Sequence, residues 1–186
     1  VVSRATLGRS ALTSRPYVLK PVSGGSSIDT FIIRRPGETA PPPEVFERHR
    51  RMLLEELIEG SEITVPVLGD DALPVIEIIP PAGGEFDYRN KYNGASQELC
   101  PPVNVSVALQ AEAGETAEKL HCGLGVRHLS RTDMILNQNG ELVVLELNTI
   151  PGMTAESLYP KAAKVAGLDM SRLVARFLEM IVGGRR

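Results

Sequence analysis

The fold of this chain is decided by one stretch, residues 145–158, which reads LELNTIPGMTAESL. Its apolar start is typical of a buried strand, and the polar residues between the leucines mark the strand end. Because residues two apart on a strand share a face, Glu146 and Asn148 are expected to project together. A Pro-Gly turn follows at 151–152, and Ser157 can cap a helix after it. The stretch therefore predicts strand, turn and helix, with two polar side chains where the strand ends.

A second apolar strand lies just before this one. It centres on residues 134–136, and the intervening Asn139-Gly140 is a strong hairpin signal. Arg131 and Asp133 alternate at its start, so they also share a face. Two carboxylates and an amide oxygen from paired strands form the hard oxygen set that Mg²⁺ prefers. The alternative is a pair of ordinary polar strand ends in solvent, but four such positions together favour a metal site.

The remaining pattern indicates an α+β protein with mostly hairpin connections, and not a doubly wound parallel sheet. Strands are predicted over residues 17–20, 31–33, 52–54, 63–68, 73–79, 134–136 and 142–147. Helices are predicted over residues 44–51, 107–121, 157–167 and 171–182, the last capped by Ser171. A turn is expected at 59–61. Residues 1–14 read as an unpatterned tail, and residues 80–102 as a loop too long to be a mere connector.

Composition excludes several classes of protein. Of 186 residues, 42% are hydrophobic and 23% charged, which is ordinary for a globular chain, and the formal net charge is -3. An acidic balance argues against nucleic acid or an anionic membrane as the main partner. No apolar run approaches the roughly 20 residues of a membrane span. Two cysteines predict reduced thiols in a cytoplasmic protein, with Cys122 an apolar filler and His49 and His121 on the surface.

Three further features suit ligand binding but are weak when taken alone. The loop after Lys20 is rich in Gly and Ser, whose donors suit phosphate, although many such loops hold no ligand. The long loop carries Lys91 and Tyr92, with a solvated loop or an oligomer contact as alternatives. The helix start at Ser157 offers free N–H groups to a carboxylate or phosphate, and plain capping is the commoner explanation.

The 145–158 stretch resembles the signature of the D-alanine–D-alanine ligases, within the ATP-grasp superfamily. Its most specific part is Pro-Gly-Met-Thr-x-x-Ser-Leu. Shorter similar motifs follow in order from about residue 16 to 182, among them VLKP at 18–21, GSS at 25–27, LPVIEI at 73–78, KY at 91–92 and RTD at 131–133. The resemblance implies an ATP-grasp fold. Residues 1–58 would belong to the central or lid subdomain, and residues 59–186 to the C-terminal subdomain with a mobile loop at 80–102.

The resemblance also implies an activity. ATP would phosphorylate the carboxylate of one D-alanine, and the amine of a second would attack the acyl phosphate, giving the dipeptide for peptidoglycan. The cofactors would be ATP and two Mg²⁺ ions, with Mn²⁺ as a substitute, in a cytoplasmic homodimer. Since the chain starts at Val1 without Met, it is expected to be the C-terminal portion of a longer ligase. The alternatives are a nucleotide- and Mg²⁺-binding module without turnover, or another ATP-grasp carboxylate–amine ligase.

Roles for single residues follow from the same resemblance. The metal ligands would be Asp133, Glu146 and Asn148. The nucleotide would be held at its phosphates by Lys20 and Lys91, and at its adenine and ribose by Glu55 and Glu62. The oxyanion would be stabilised by Arg131 and the Gly152 N–H. The second D-alanine carboxylate would be held by Ser157 and the Leu158 N–H, while the lid and attacking amine would be positioned by Ser26 and Tyr92.

Two positions bear on how closely the chain follows the family. Relatives that join D-alanine to D-lactate differ at the loop position of Lys91-Tyr92. The resemblance therefore favours the dipeptide-forming reaction for this chain. Ile28-Asp29 stands where a smaller Val-Gly pair is more usual, which leaves the details of nucleotide binding open.

Overall fold

The structure is a computed structural model of the chain, and it describes residues 1–24, 27–37, 40–81 and 96–183. The strands are β1 Tyr17–Pro21, β2 Phe31–Ile33, β3 Met52–Glu56, β4 Gly60–Leu68, β5 Asp71–Ala72, β6 Ile76–Ile79, β7 Gln97–Leu99, β8 Leu129–Asn137 and β9 Leu142–Asn148. The α-helices are α1 Val45–Arg48, α2 Val107–Gly123, α3 Leu158–Val165 and α4 Met170–Val182. The strand pairs of the described residues are all antiparallel, as the sequence predicts for an α+β protein with hairpin connections.

The described chain forms two compact units, with the boundary between Ile58 and Glu59. The first unit is built on a sheet of order β2-β1-β3. Alternation along β1 places Tyr17 and Leu19 in a core, while Val18 and Lys20 face the other side. That core contains Tyr17, Leu19, Ile33, Val45, Met52 and Leu54.

The second unit is built on a sheet of order β7-β6-β4-β8-β9, with β5 paired to β4. Ile63, Val65 and Val67 of β4 are fully buried beneath α2, together with Ala113 and Ala117 of that helix. The intervening residues, Glu62 and Thr64, therefore face the opposite side of the sheet. Since β8 pairs with β4 along its whole length, the polar start of β8 is brought next to Thr64.

A β-bulge decides where the end of β9 points. Asp133 pairs with Glu146, whereas the next residue, Met134, pairs with Val144, so Leu145 is an extra residue in β9. Without it, strict alternation would place Glu146 on the same face as Leu142, which packs against the core of the second unit. The bulge turns the strand end so that its polar residues lie opposite those of β8.

Several predicted boundaries are wrong because short elements have little periodicity. Residues 1–14 are not an unpatterned tail: they form short 3-10 helices at Leu7–Arg9 and Ala11–Ser14, and Val2 pairs with Met52. The helix predicted over 44–51 is shorter in the structure and spans Val45–Arg48. The strand predicted over 73–79 is also shorter and spans Ile76–Ile79. The predicted loop over 80–102 contains β7, while its residues 82–95 lie outside the described part of the chain.

The expected turn at 59–61 is instead the start of β4. A Cβ at Gly60 would collide with the carbonyl oxygen of Leu136, so only glycine permits this close approach of two strands. Strands β3 and β4 belong to different sheets and do not form a hairpin. The sequence could not distinguish a turn from a strand here, because glycine occurs alike in bulges, turns and close strand contacts.

Three single-residue predictions are also wrong. The cap of α4 is Asp169, whose carboxylate accepts from the Arg172 N–H, and not Ser171. His121 is buried, and its Nδ1 lies 2.7 Å from the Ser130 hydroxyl. Cys122 is exposed and fills no core.

No helix among the described residues is long and apolar enough to span a membrane.

Candidate functional site

The polar ends of β8 and β9 form one cluster on the face of the sheet opposite α2. The Arg131 guanidinium donates Nε–H to Asp133 Oδ1 at 2.8 Å and Nη2–H to Oδ2 at 2.7 Å. Asn148 lies beside both carboxylates, its Nδ2 3.1 Å from Asp133 Oδ2 and 3.1 Å from Glu146 Oε1. The structure thus brings together four residues that the sequence places on two shared strand faces.

This cluster suits a divalent cation. Two carboxylates converge on a single donor group, the Asn148 amide nitrogen, so a cation held by both acids would replace that donor. Both acids offer oxygen ligands, and rotation of the Asn148 amide would supply a third. Among the described residues no group of three or more His, Cys, Asp or Glu side chains could hold a metal by itself. The Asn148 oxygen and substrate phosphates would therefore have to complete the shell.

The electrostatics of the cluster are dominated by its acids. Burial by itself lowers the pKa of Arg131, but the hydrogen bonds that Arg131 donates to Asp133 and the charges of Asp133, Glu146 and Glu62 outweigh it, so this pKa is raised. Arg131 stays positive at any working pH, and the pair with Asp133 uses two of its five N–H donors. With two carboxylates against one guanidinium, the cluster carries a net negative charge that favours a cation.

Three of the residues predicted to hold the nucleotide, Lys20, Glu55 and Glu62, lie on strand faces within their own units. In the first, Lys20 Nζ lies 2.6 Å from Glu55 Oε2, because β1 and β3 place these side chains on the face away from the core. Both side chains remain partly exposed. In the second unit, Glu62 lies on β4, on the same sheet face as Thr64. Its negative charge contributes to the raised pKa of Arg131.

The turn after β9 brings two further predicted residues into contact. A Cβ at Gly152 would lie 2.8 Å from the Ser157 hydroxyl oxygen. That hydroxyl accepts from the Thr154 N–H at 3.1 Å and lies 2.9 Å from the Thr154 hydroxyl. Ser157 is the N-cap residue of α3, yet its side chain accepts no hydrogen bond from the helix. Plain capping therefore does not explain this serine, and within the described part of the chain no acceptor bonds the Leu158 N–H at the start of α3.

Three of the predicted site residues, Ser26, Lys91 and Tyr92, lie outside the described part of the chain.

Comparisons with known proteins identify the family of the chain. A sequence profile described as "D-ala D-ala ligase C-terminus" matches residues 8–179. The chain belongs to this family. A D-alanine–D-alanine ligase from Syntrophobacter fumaroxidans is 47% identical over 171 residues, which cover 89% of this chain and 54% of that protein. The chain therefore spans about half the length of the curated relatives it matches.

Solved structures of D-alanine–D-alanine ligases share the fold. The crystal structure of the Bacillus anthracis enzyme is 30% identical, with a TM-score of 0.78, over 100% of this chain and 59% of that one. The same enzyme complexed with ATP is 27% identical, with a TM-score of 0.76, over 100% of this chain and 57% of that one. The ATP-grasp fold predicted from the sequence is thereby confirmed for this chain.

Sequence reasoning missed one member of the cluster. Thr64, fully buried on β4, places its hydroxyl 2.5 Å from Asp133 Oδ1. The only sequence signal is a hydroxyl residue inside an otherwise apolar strand, which is also what ordinary β-propensity produces.

Proposed function

We propose that this chain is the nucleotide- and metal-binding part of a D-alanine–D-alanine ligase, which joins two D-alanines through an acyl phosphate at the expense of ATP. The observation that carries the proposal is the cluster of Arg131, Asp133, Glu146 and Asn148 at the ends of β8 and β9, in a chain of this family. Peptidoglycan synthesis in the cytoplasm would be its setting, and a homodimer its assembly.

The chemistry demands control of negative charge. A phosphoryl group in transfer and then a tetrahedral oxyanion must each meet fixed cations and donors. Asp133, Glu146 and Asn148 would hold Mg²⁺, which when bound neutralises the phosphate oxygens. Arg131 would present its remaining N–H donors to the oxyanion while Asp133 fixes the plane of the guanidinium. The Gly152 N–H would provide a second donor for the oxyanion.

The nucleotide and the second amino acid would use the other predicted residues. Lys20 would turn from Glu55 to the ATP phosphates, which frees the Glu55 carboxylate to accept from the adenine amino group. Glu62 would bind the ribose hydroxyls. Ser157 and the Leu158 N–H would hold the carboxylate of the second D-alanine at the start of α3, where the helix dipole favours an anion. The substrates would be covered by Lys91, Tyr92 and Ser26. This cover would exclude water, which would otherwise hydrolyse the acyl phosphate.

A second candidate is a binding module without turnover. It is favoured by one fact, that the chain covers 54% of the length of its Syntrophobacter relative. In that case the 186 residues bind Mg²⁺ and nucleotide, and other residues complete the first D-alanine site.

The deciding experiment measures phosphate release with ATP, Mg²⁺ and D-alanine, together with binding of a non-hydrolysable ATP analogue by calorimetry. The ligase proposal predicts D-alanine-dependent phosphate release in the longest form of the protein, with D-serine and D-lactate as poorer second substrates. Binding without release in the 186-residue chain would support the module. Absence of D-alanine-dependent release from the longest form would refute the ligase proposal, and a preference for a different amine would indicate another ATP-grasp ligase.

A further inference from the structure

The hydroxyl of Thr64 joins the cluster from a neighbouring strand. Thr64 is the register partner of Asp133 in the β4–β8 pairing, and its Oγ1 lies 2.5 Å from Asp133 Oδ1 and 3.2 Å from the Thr132 carbonyl oxygen. Both neighbours are acceptors, and the hydroxyl has one hydrogen to donate. The carboxylate oxygen is closer and carries charge, so it receives the hydrogen.

The donors around Asp133 divide its two oxygens between two tasks. Oδ1 accepts from Thr64 and from Arg131 Nε, both held within the sheet. Oδ2 accepts from Arg131 Nη2 and from Asn148 Nδ2, the amide that also contacts Glu146. Rotation of the Asn148 amide would therefore release Oδ2 and not Oδ1. The buried threonine thus anchors Oδ1, whereas Oδ2 shares the Asn148 amide with Glu146 and would become available to a shared ligand when that amide turns.

We propose that Thr64 is a positioning residue for the metal site: its hydroxyl fixes the Asp133 carboxylate so that Oδ2 faces the Glu146 carboxylate. This inference rests on the proposed function, since it takes Asp133 and Glu146 as the metal ligands. Hydrogen-bond partners behind a ligand fix its orientation, and their removal commonly costs about 10- to 100-fold in metal affinity. Nothing about Thr64 requires it to touch the metal or the substrates.

The chain offers a matched control in a second buried threonine. Thr132 is as fully buried as Thr64, and it lies on β8 directly between Arg131 and Asp133. Alternation directs it to the opposite face of the sheet, and among the described residues its hydroxyl has no hydrogen-bond partner. Replacing either threonine by valine makes the same change of one hydroxyl to one methyl inside the same sheet. Only the Thr64 change removes a bond to the cluster.

The test measures Mn²⁺ binding to the 186-residue chain, by electron paramagnetic resonance of the free ion, with and without a non-hydrolysable ATP analogue. We expect Thr64→Val to weaken Mn²⁺ binding by about 10-fold or more, Thr64→Ser to restore it, and Thr132→Val to leave it unchanged. Thr64→Cys, with a thiol that is only a weak donor, should fall between valine and serine, and it replaces the valine variant if that one does not fold. Melting temperatures establish that binding is measured on folded protein.

Each other outcome overturns a defined statement. Wild-type affinity in Thr64→Val removes any positioning role for the hydroxyl. Equal losses in Thr64→Val and Thr132→Val, or no recovery with serine, mean that packing of the sheet and not the bond to Asp133 is responsible. If the wild-type chain itself binds no Mn²⁺ under either condition, the metal site of the proposed function is wrong, and the inference about Thr64 is wrong with it.

Discussion

At the scale of single residues, the two carboxylates of the cluster differ in burial and in the number of their hydrogen-bond partners. Asp133 is 8% exposed and bonded to three neighbours, whereas Glu146 is exposed and, among the described residues, its hydrogen bond is to the Asn148 amide alone. Glu146 thus adds little to the fold while supplying a carboxylate at the edge of the cluster. Substitutions at these two positions should therefore behave differently.

The first prediction concerns Glu146→Gln. An amide has the shape of a carboxylate but cannot neutralise a divalent cation, so metal-dependent turnover should fall by about 100-fold or more while the melting temperature stays within about 2 °C of wild type. Phosphate release measured over a Mg²⁺ titration checks the first part, and thermal unfolding checks the second. Unchanged turnover would mean that the metal site lies elsewhere.

The second prediction concerns Ser157→Ala. Ser157 accepts no hydrogen bond from α3, so we expect its hydroxyl to serve the carboxylate of the second D-alanine. Loss of that hydrogen bond should raise the KM for the second D-alanine by about tenfold. The KM for ATP should stay unchanged. Ser106 provides the comparison, since its hydroxyl does accept from the Leu109 N–H at the start of α2.

In that comparison, Ser106→Ala should cost about 1 kcal/mol in the free energy of unfolding and leave both KM values unchanged. Urea unfolding and steady-state kinetics on both variants separate the two roles. A KM increase of the same size for ATP and D-alanine in Ser157→Ala would indicate a structural role for that serine.

At the scale of elements, the segment that follows the Gly/Ser loop is hydrogen-bonded to the C-terminal end of α1. Ser27 and Asp29 both adopt positive φ, at 57° and 55°, which is uncommon for residues other than glycine. The Asp29 carboxylate accepts two hydrogen bonds from Arg48, at 2.7 and 3.0 Å, and one from His49 at 2.8 Å. The bonds from Arg48 and His49 thus hold a residue other than glycine in a conformation that glycine adopts most readily.

The third prediction concerns the titration of Asp29. Hydrogen bonds from Arg48 and His49 lower the pKa of Asp29 from 3.8 to about 2. A carboxyl whose pKa is lower in the folded state stabilises that state above its unfolded pKa, and this stabilisation is lost as the pH falls from about 4 to about 2. Carbon NMR of the Asp29 carboxyl should give a midpoint near 2, and Arg48→Gln should move it upward. A midpoint near 3.8 in the wild type would mean that the pair is absent in solution.

At the scale of the whole molecule, each unit has its own sheet and its own buried core. Among the described residues, those proposed for nucleotide and metal lie on strand faces turned away from those cores. Ligands that bind the folded chain and not the unfolded one stabilise it in proportion to the logarithm of their concentration. Binding should therefore be visible as stability even where turnover is absent.

The fourth prediction follows from this linkage. Mg²⁺ with a non-hydrolysable ATP analogue, at 100 times the dissociation constant, should add about 2.7 kcal/mol to the free energy of unfolding, and EDTA should remove most of the gain. Differential scanning fluorimetry at several ligand concentrations measures it, with Glu146→Gln as the variant in which the metal-dependent part is lost. A gain that EDTA leaves intact would show that nucleotide binds without the metal.

The sequence by itself determined what depends on local order. Alternation along a strand placed Glu146 with Asn148 and Arg131 with Asp133, and the stretch 145–158 carried the family resemblance. The hairpin of β8 and β9 followed from Asn139-Gly140. These features need only neighbours within a few residues, so a linear pattern is enough to predict them. Predicted elements with weak periodicity, such as residues 1–14, were wrong because nothing local distinguishes them.

Only the tertiary structure decided how these local pieces meet. The contact of Thr64 with Asp133 joins residues 69 positions apart, and the extra residue Leu145 in β9 turns Glu146 out of the core. The burial of His121 likewise depends on the packing of α2 over β8. Pairing between distant strands is set by the packing of whole sheets. That packing sums many small apolar contacts, so no short motif in the chain can encode it.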